Sequence, residues 1–518
     1  MPAQCVYHPS HLACAIAAAL LSGHLAAATI EVTNAADSGV GSLRWAVETA
    51  NTNADPDNEI IFSTTTNGTA IILSSPLTVT KSLEIVGNGP PQTIIQGDGS
   101  TGLLSASFLV DALTVSGLTL TGGYNTSGGG AIDSGAAELH VINTHILGNT
   151  STTQGGGIRH TPVVENGRLN LEDCTISGNA VVGTQDFNRG GGVHAELWRE
   201  GERVDINYCT INDNQAEHGG GLSVLLPLTA FEPDQRTWIN YSTISGNTAG
   251  GNGGGILVDA YNPHVLRIFT STIESNTAGG FGGGIDARST TLINFSLIHN
   301  NTAHNAGGGA RLVLDGYLPI DRWVINNSTI SGNRVNNITV NRGAGLLFDS
   351  LPGTEPPFEF DIVQSTIAFN FSLGAFTVSE GHGIYNNTPW TAMLENTIVA
   401  ENLRGTNPRD LVGNFEAGWS LLGHISSGSL GTVAPVTLSA VAGLEPLADN
   451  GGLTRTHQLS ADSLARNAGD PGFTGPPDVD QRFDGSLPRI QFGRIDIGAL
   501  ESEIDVIFGN QFRSFELP

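Results

Sequence analysis

The sequence predicts an all-β protein: a single-stranded right-handed parallel β-helix with a short N-terminal capping helix. Two recurring motifs and one absence predict it. Ser242-Thr-Ile-Ser-Gly-Asn247, followed by Gly253-Gly-Gly255-Ile256, has near-copies at Cys174–Asn179 with Gly190–Val193, Ser271–Asn276 with Gly282–Ile285, and Ser328–Asn333 with Gly343–Leu346. Between the motifs lie short β-rich segments and polar turns without a helical period. A unit recurring in fixed order means stacked units, each burying its apolar side against the next.

The apolar columns come first. With the Ile of Thr-Ile as anchor, the series is Ile146, Ile176, Ile211, Ile244, Ile273, Ile298, Ile330, Ile367 and Ile398. Five residues earlier run Val141, Leu171, Ile206, Ile239, Ile268, Ile293, Ile325, Ile362 and Met393. Three residues after the anchor stands Asn149, Asn179, Asn214, Asn247, Asn276, Asn301, Asn333 or Asn370; the last unit departs, with Glu401 in that place and Asn402 beside it. Stacking at about 4.8 Å per coil turns the Ile columns into an inward aliphatic stack and the Asn column into a ladder of amides. Asn also suits a left-handed corner, and the glycines permit the sharp turn before the next strand.

Cys174 and Cys209 both stand two before the anchor, in neighbouring coils, where other coils carry Ser242, Ser271, Ser296, Ser328 and Ser365. Two readings stay open: a cross-coil disulfide, or two small side chains in a polar stack.

Composition narrows the function. The chain of 518 residues has 68 Gly and a formal charge of −27, and Lys81 is the only lysine. Such acidity repels phosphates and excludes a nucleic-acid partner. It also repels polyanionic substrates unless Arg clusters reverse the sign locally. Leu12–Leu25 with Ala26-Ala27-Ala28 reads as a signal peptide over 1–28 and implies a secreted or bacterial outer-surface protein, although its n-region has no Lys or Arg. No later stretch is long and apolar enough to span a bilayer as a helix. A cap over 29–62 contains the helix candidate 42–51, with Ser42 as N-cap and Leu43, Ala46, Val47 and Ala50 on one face. The β-helix runs over 63–403, regular from about 139. Further coils and a terminal region follow over 404–501, then a tail over 502–518. A monomer is expected.

The ends carry a resemblance. Gly41-Ser-Leu-Arg-Trp-Ala-Val-Glu-Thr-Ala-Asn51 resembles the N-terminal motif of bacterial exported β-helix proteins of the CSLREA type, with Trp45 replacing an acidic residue. Pro446–His457, Ala465–Asp470, Asp480-Gln-Arg482 and Asp496–Glu501 resemble the choice-of-anchor Q region. The resemblance implies a secreted or surface-attached, pectate-lyase-like solenoid and no single activity. The pairing of Gly-Gly-Gly-Ile with Thr-Ile-x-x-Asn is also similar to repeats of chlamydial polymorphic outer-membrane proteins, which act in adhesion. Residues 502–518 are too few for the barrel those proteins carry.

Chemistry is sought where the repeat breaks, on the strand after each glycine corner. Its second position reads Arg159, His194, Ser223, Leu257, Asp286, Arg311, Leu347, Tyr385; its fourth reads Thr161, Glu196, Leu225, Asp259, Arg288, Val313, Asp349, Asn387. Strand alternation turns both outward. The functional reading places His194, Glu196, Asp286 and Arg311 as catalytic residues, with Arg159, Asp259, Arg288, Trp198 and Tyr261 holding an extended glycan. Pectate-lyase-like relatives use such a face, with Arg as base or carboxylate clamp. The competing reading pairs Asp286 with Arg311 and Asp259 with Arg288 as ordinary cross-coil ion pairs. Trp323 falls in a core column with Leu139, Leu169, Leu266 and Phe360.

Gly381-His-Gly383 is similar to the GHG motif of polygalacturonase-type hydrolases, but it occupies a glycine corner and has no carboxylate partner segment. No nucleophile elbow, zinc motif, P-loop or EF-hand loop is present, so no cofactor or metal is expected; calcium on the acidic loops stays open as an alternative, without a ligand spacing to support it. Two functions follow: binding of an extracellular polysaccharide or a host or cell surface, or cleavage or epimerisation of an extended glycan along the outward face.

Overall fold

A computed structural model describes residues 28–227, 234–260, 264–314, 321–337, 342–351, 358–373, 382–474, 479–483, 489 and 494–502. Residues 1–27 of the expected signal peptide, Tyr261, Gly381 and residues 503–518 of the expected tail lie outside the described residues.

The chain is a right-handed parallel β-helix. Each regular coil contains four strands. In the coil that starts at the Gly190–Gly192 corner these are the glycine strand Val193–Glu196, the strand Arg203–Asn207, the anchor strand Thr210–Asn212 and the short strand Gln215–Ala216. Every one pairs in parallel with its counterpart in the next coil: Val193 with Leu222, Ile206 with Ile239, Ile211 with Ile244, Ala216 with Ala249. The second strand, Arg203–Asn207 and its equivalents, is called the platform strand below. Glycine and platform strands are two halves of one face, divided by a loop. At Leu411–Gly418 they fuse into one strand, which pairs with Ile384 through Leu411 and with Ala392 through Phe415. Aliphatic columns fill the interior, and Ile146, Ile176, Ile211, Ile244 and Ile273 are fully buried.

The asparagine ladder is continuous. Each Asn Oδ1 accepts from both the backbone N–H and the Nδ2 of the preceding Asn, as between Asn214 and Asn247 at 3.0 Å each. Each Nδ2 also donates to a backbone carbonyl, Asn247 to Ile211 at 2.9 Å. The third glycine of each corner lies against it: a Cβ on Gly221 would sit 2.9 Å from Asn247 Nδ2 and 2.8 Å from the Gly255 carbonyl. Hence Thr-Ile-x-x-Asn and Gly-Gly-Gly recur together; the carboxamide stack occupies the space a side chain would need.

The last unit corrects the sequence frame. Ile367 pairs with Val399, not Ile398, and Ile362 with Leu394, not Met393. With Val399 as anchor the spacing is regular, and Asn402 continues the ladder in place of Glu401.

Cys174 and Cys209 are free, buried thiols. They belong to a second ladder in which each backbone N–H donates to the next side chain: Cys174 to Cys209 Sγ at 3.4 Å, Cys209 to Ser242 Oγ at 3.0 Å, Ser242 to Ser271 Oγ at 3.1 Å. The polar-stack alternative is the one formed. The hydrogen bond to Cys174, together with burial, holds the Cys209 thiol above its usual range.

At the N-terminal end Leu43–Thr52 is helical. Ser42 Oγ accepts from Trp45 N–H at 3.2 Å, and Leu43, Ala46, Val47 and Ala50 are buried. At the other end the chain turns back and straps along the anchor strands. His457 Nε2 meets Ser331 Oγ at 2.8 Å, Gln481 bonds Thr329 and the Ser296 carbonyl, Arg455 pairs with Glu274, and Phe483 packs on Phe269 and Phe295. The Asp480-Gln-Arg482 and Asp496–Glu501 motifs tie this strap with buried charge. Arg482 Nε donates to both Asp480 oxygens at 3.1 and 3.0 Å, and Glu501 N–H donates to Asp480 Oδ2 at 2.9 Å.

Candidate functional site

On the glycine strands the predicted columns are in register: Arg159, His194, Ser223, Leu257, Asp286, Arg311, Leu347 and Tyr385 pair in sequence. The column is not open, however. His194 and Ser223 are fully buried, and Leu257, Asp286 and Leu347 are buried as well. Strand alternation sets direction, not exposure. Side chains from the glycine corners lean over the column: Gln154 Nε2 donates to Glu196 Oε1 at 3.1 Å, and the Arg311 guanidinium lies 4.5 Å from the Phe281 ring centre.

The proposed catalytic set separates into two groups. Glu196 accepts from His194 Nε2 at 3.2 Å, from Gln154, and from Trp198 Nε1 at 3.1 Å. Burial raises its pKa, but the His194 hydrogen bond and charge, with Arg159, outweigh it and hold Glu196 at about 2. Burial lowers the His194 pKa against the opposing pull of Glu196. Asp286 is three coils further on and Arg311 four, about 14 and 19 Å away at the spacing of stacked strands. Arg311 bridges Asp286 at 3.6 Å and Asp349 at 3.0 Å. Burial pushes Asp286 up to about 6, partly offset by Arg311. Between the two groups Asp259 takes Arg288 at 3.3 Å and Arg189, unforeseen here, at 2.9 Å. Arg159 pairs with Asp133 at 3.2 Å.

The cross-coil reading therefore describes this face: each named arginine is engaged by a carboxylate. Among the described residues, Trp198, 37% exposed, is the predicted contact residue with a free aromatic surface. His382 of the GHG segment is buried in a corner, and burial lowers its pKa to about 3. Among the described residues no cluster of three or more His, Cys, Asp or Glu is placed to hold a metal ion. No described helix is long and apolar enough to cross a membrane.

The platform strands, read in the sequence only through their inward column Val141, Leu171, Ile206 and Ile239, carry a second arrangement on their outward side. Register places Arg168, Arg203 and Arg236 in one outward column and Asn170, Asp205, Trp238 and Arg267 in the next. Of these, Arg168, Arg203, Asp205, Trp238 and Arg267 line an open hollow of about 480 Å³ with Asn207, Asn240 and Tyr208. Arg236 and Arg267 lie 4.8 and 5.6 Å from the Trp238 ring centre, so the indole holds two guanidinium groups in place. Asp205 takes Arg168 at 2.8 Å and Arg203 at 3.7 Å.

The rim of this hollow is aromatic. Tyr208 and Tyr241 stack with ring centres 5.0 Å apart and planes 5° from parallel. Both occupy a corner with positive φ, 55° and 51°, which other coils fill with Asn143, Asp173, Asn327 and Asn396, and also with Thr270, Phe295, Gln364 and Trp419. A bulky residue there costs about 1–2 kcal/mol relative to ordinary backbone. Tyr208 is 58% exposed, so burial does not repay the strain. Past Tyr241 the same side is closed by the C-terminal strap, with Thr454 and Phe483 against Phe295.

Comparisons with known proteins identify no family. No protein-family description and no curated protein matches the chain. A solved structure described as a mannuronic acid specific polysaccharide family 6 lyase enzyme from human gut microbiota aligns over 78% of this chain and 83% of its own, at 13% identity and a TM-score of 0.31.

Proposed function

We propose that this chain is an exported, surface-acting β-helix protein that binds a glycan along its platform strands without transforming it. Tyr208 carries the reading. It is an exposed aromatic held in a strained corner, stacked on Tyr241, beside a hollow of asparagine and arginine side chains. Aromatic faces that gain nothing from folding are suited to stacking on sugar rings, and adjacent amides and guanidinium groups to bonding hydroxyls and acidic substituents. Self-satisfied ion pairs on the glycine-strand face, and the full burial of His194, disfavour the catalytic alternative of a lyase, hydrolase or epimerase.

The test is an oligosaccharide array followed by calorimetry, using a chain beginning at Thr29. Binding that Tyr208→Ala weakens severalfold, with substrate recovered intact, supports the proposal. Turnover of a polysaccharide abolished by Glu196→Gln would establish the catalytic alternative instead. Binding unaffected by Tyr208→Ala would move the site elsewhere on the surface.

A further inference from the structure

We infer that the glycan recognised on the platform strands is acidic, carrying carboxylate or sulfate groups that Arg203, Arg236 and Arg267 read from successive coils. The inference rests on the binding site proposed above and adds the chemistry of its ligand.

Charge is the first observation. The chain has a net charge of −27, yet Arg168, Arg203 and Arg267 line one hollow whose lining includes a single carboxylate, Asp205, and Arg236 lies over the ring of Trp238, another of its lining residues. Asp205 engages Arg168 closely and Arg203 only at 3.7 Å. Arg236 and Arg267 have no carboxylate within ion-pair distance among the described residues; they are held by Trp238 and, for Arg267, also by Phe269 at 4.9 Å. On the glycine-strand face, by contrast, Arg159, Arg189, Arg288 and Arg311 each have a carboxylate. Glu138 stands one coil before Arg168, and Glu172 pairs in register with Asn207, so acidic side chains border the patch at its N-terminal edge. An acidic protein that gathers uncompensated guanidinium groups in one hollow reverses its own field there, which attracts an anion.

Geometry is the second observation. Arg203 and Arg236 pair in register, and Arg267 pairs with Trp238. The charges thus climb the helix axis coil by coil, about 4.8 Å per step. That spacing is close to the length of a sugar ring, so a polymer with an acidic group on each residue meets a fresh guanidinium at each step. Guanidinium forks suit planar carboxylates and the oxygens of sulfate. The indole keeps the guanidinium groups ordered before the ligand arrives, so less freedom is lost on binding. Trp238 is a positioning residue; Tyr208 offers the stacking face.

The experiment measures binding of the Thr29–Ser502 chain to three oligosaccharide sets of equal length: polyuronate, sulfated and neutral. The expected result is binding of an acidic set that weakens steadily with added salt and falls about tenfold or more in Arg203→Ala/Arg236→Ala, while Trp238→Phe retains most of it. Preference between uronate and sulfate identifies the acidic group. Equal binding of neutral and acidic sets, unchanged in the double variant and insensitive to salt, overturns the inference and leaves the glycan site standing. Absence of binding to all three sets, with the melting temperature of each variant unchanged, overturns both. The rescue arm, Arg203→Lys/Arg236→Lys, separates charge from fold: recovery of salt-dependent binding supports the inference, and failure with weakened neutral binding as well points to lost structure.

Discussion

Asn402 gives both its backbone N–H and its side-chain N–H to one carboxylate oxygen of Asp410, at 2.9 and 2.8 Å. The amide ladder therefore ends on an acceptor, where a tenth asparagine would leave an amide without a successor. The second Asp410 oxygen accepts from His424 N–H at 2.7 Å, and burial raises the Asp410 pKa against these bonds.

Removing that terminator should loosen the last coils. Asp410→Ala leaves Asn402 and His424 donors unpaired in a buried site, a loss of about 2–4 kcal/mol. Asp410→Asn keeps an acceptor and should lose much less. Hydrogen exchange over residues 384–424 reads the effect; uniform protection in the alanine variant would rule out the capping role.

Two glycine substitutions should differ although both residues are corners. In Gly255→Ala the new Cβ meets the Gly284 carbonyl at 2.7 Å and Asn276 Nδ2 at 2.9 Å, so the ladder must shift. Gly148 has φ +62 and nothing within 4 Å, so Gly148→Ala carries backbone strain alone, about 1 kcal/mol. Thermal melts should show a drop several times larger for the first. Equal drops would mean that the ladder tolerates displacement.

Glu202 makes stability fall toward alkaline pH. It is fully buried, and burial raises its pKa from 4.5 to about 8, opposed by backbone N–H groups of Arg199 and Trp198. Between those values the folded chain keeps a proton the unfolded chain has released. The contribution is complete below 4.5 and is lost as pH rises through about 8. Glu202→Gln should therefore gain stability relative to the parent between pH 5 and 8, read as a growing difference in urea midpoint. A constant difference would place the carboxylate in its charged form.

Buried histidines act in the opposite direction. Burial lowers His160 and His264 from 6.5 to about 3, and Thr237 Oγ1 lies 3.0 Å from His264 Nε2. Unfolded chains bind protons there that folded ones exclude, so stability is lost as pH falls from 6.5 toward 3. His264→Gln should lower the midpoint pH of acid unfolding, followed by circular dichroism; an unchanged midpoint would show that other groups control it.

The thiols give a count. A chain beginning at Thr29 should show no reactive thiol when folded and two when unfolded without reductant, since Cys174 and Cys209 are free and 2% exposed. A disulfide would leave none in the second measurement.

Much of the solenoid was legible because stacking repeats one environment. The columns Arg159 to Tyr385 paired in register, the ladder formed, and Trp323 is buried between Phe348 and Phe360. The misplacement at Ile398 has a physical origin: Ile398 and Val399 are both apolar, and the strand register and the continuing hydrogen bond from Asn370 to Asn402 distinguish the frames. Burial of His194 and Asp286 was not legible, because alternation gives the direction of a side chain and not what leans over it. The platform face was legible in principle; Arg168, Arg203 and Arg236 align as readily as the glycine-strand columns. Docking of the strap was not, since contacts such as Gln481 to Ser296 join residues 185 apart with no shared period.

That strap sets an order of assembly. Each coil rests on its immediate neighbours, so coils can form one after another as a chain emerges from a membrane pore or a ribosome. The link from His457 to Ser331 spans 126 residues, and that from Arg455 to Glu274 spans 181. These can close only after the final coils exist, and closing them ties early coils to late ones at one stroke. Growth is local and sequential, but release must be concerted: a fray at the C-terminal end cannot travel coil by coil until the strap lifts. The molecule is built like a stack and comes apart like a knot, which favours slow unfolding over high equilibrium stability as its means of lasting.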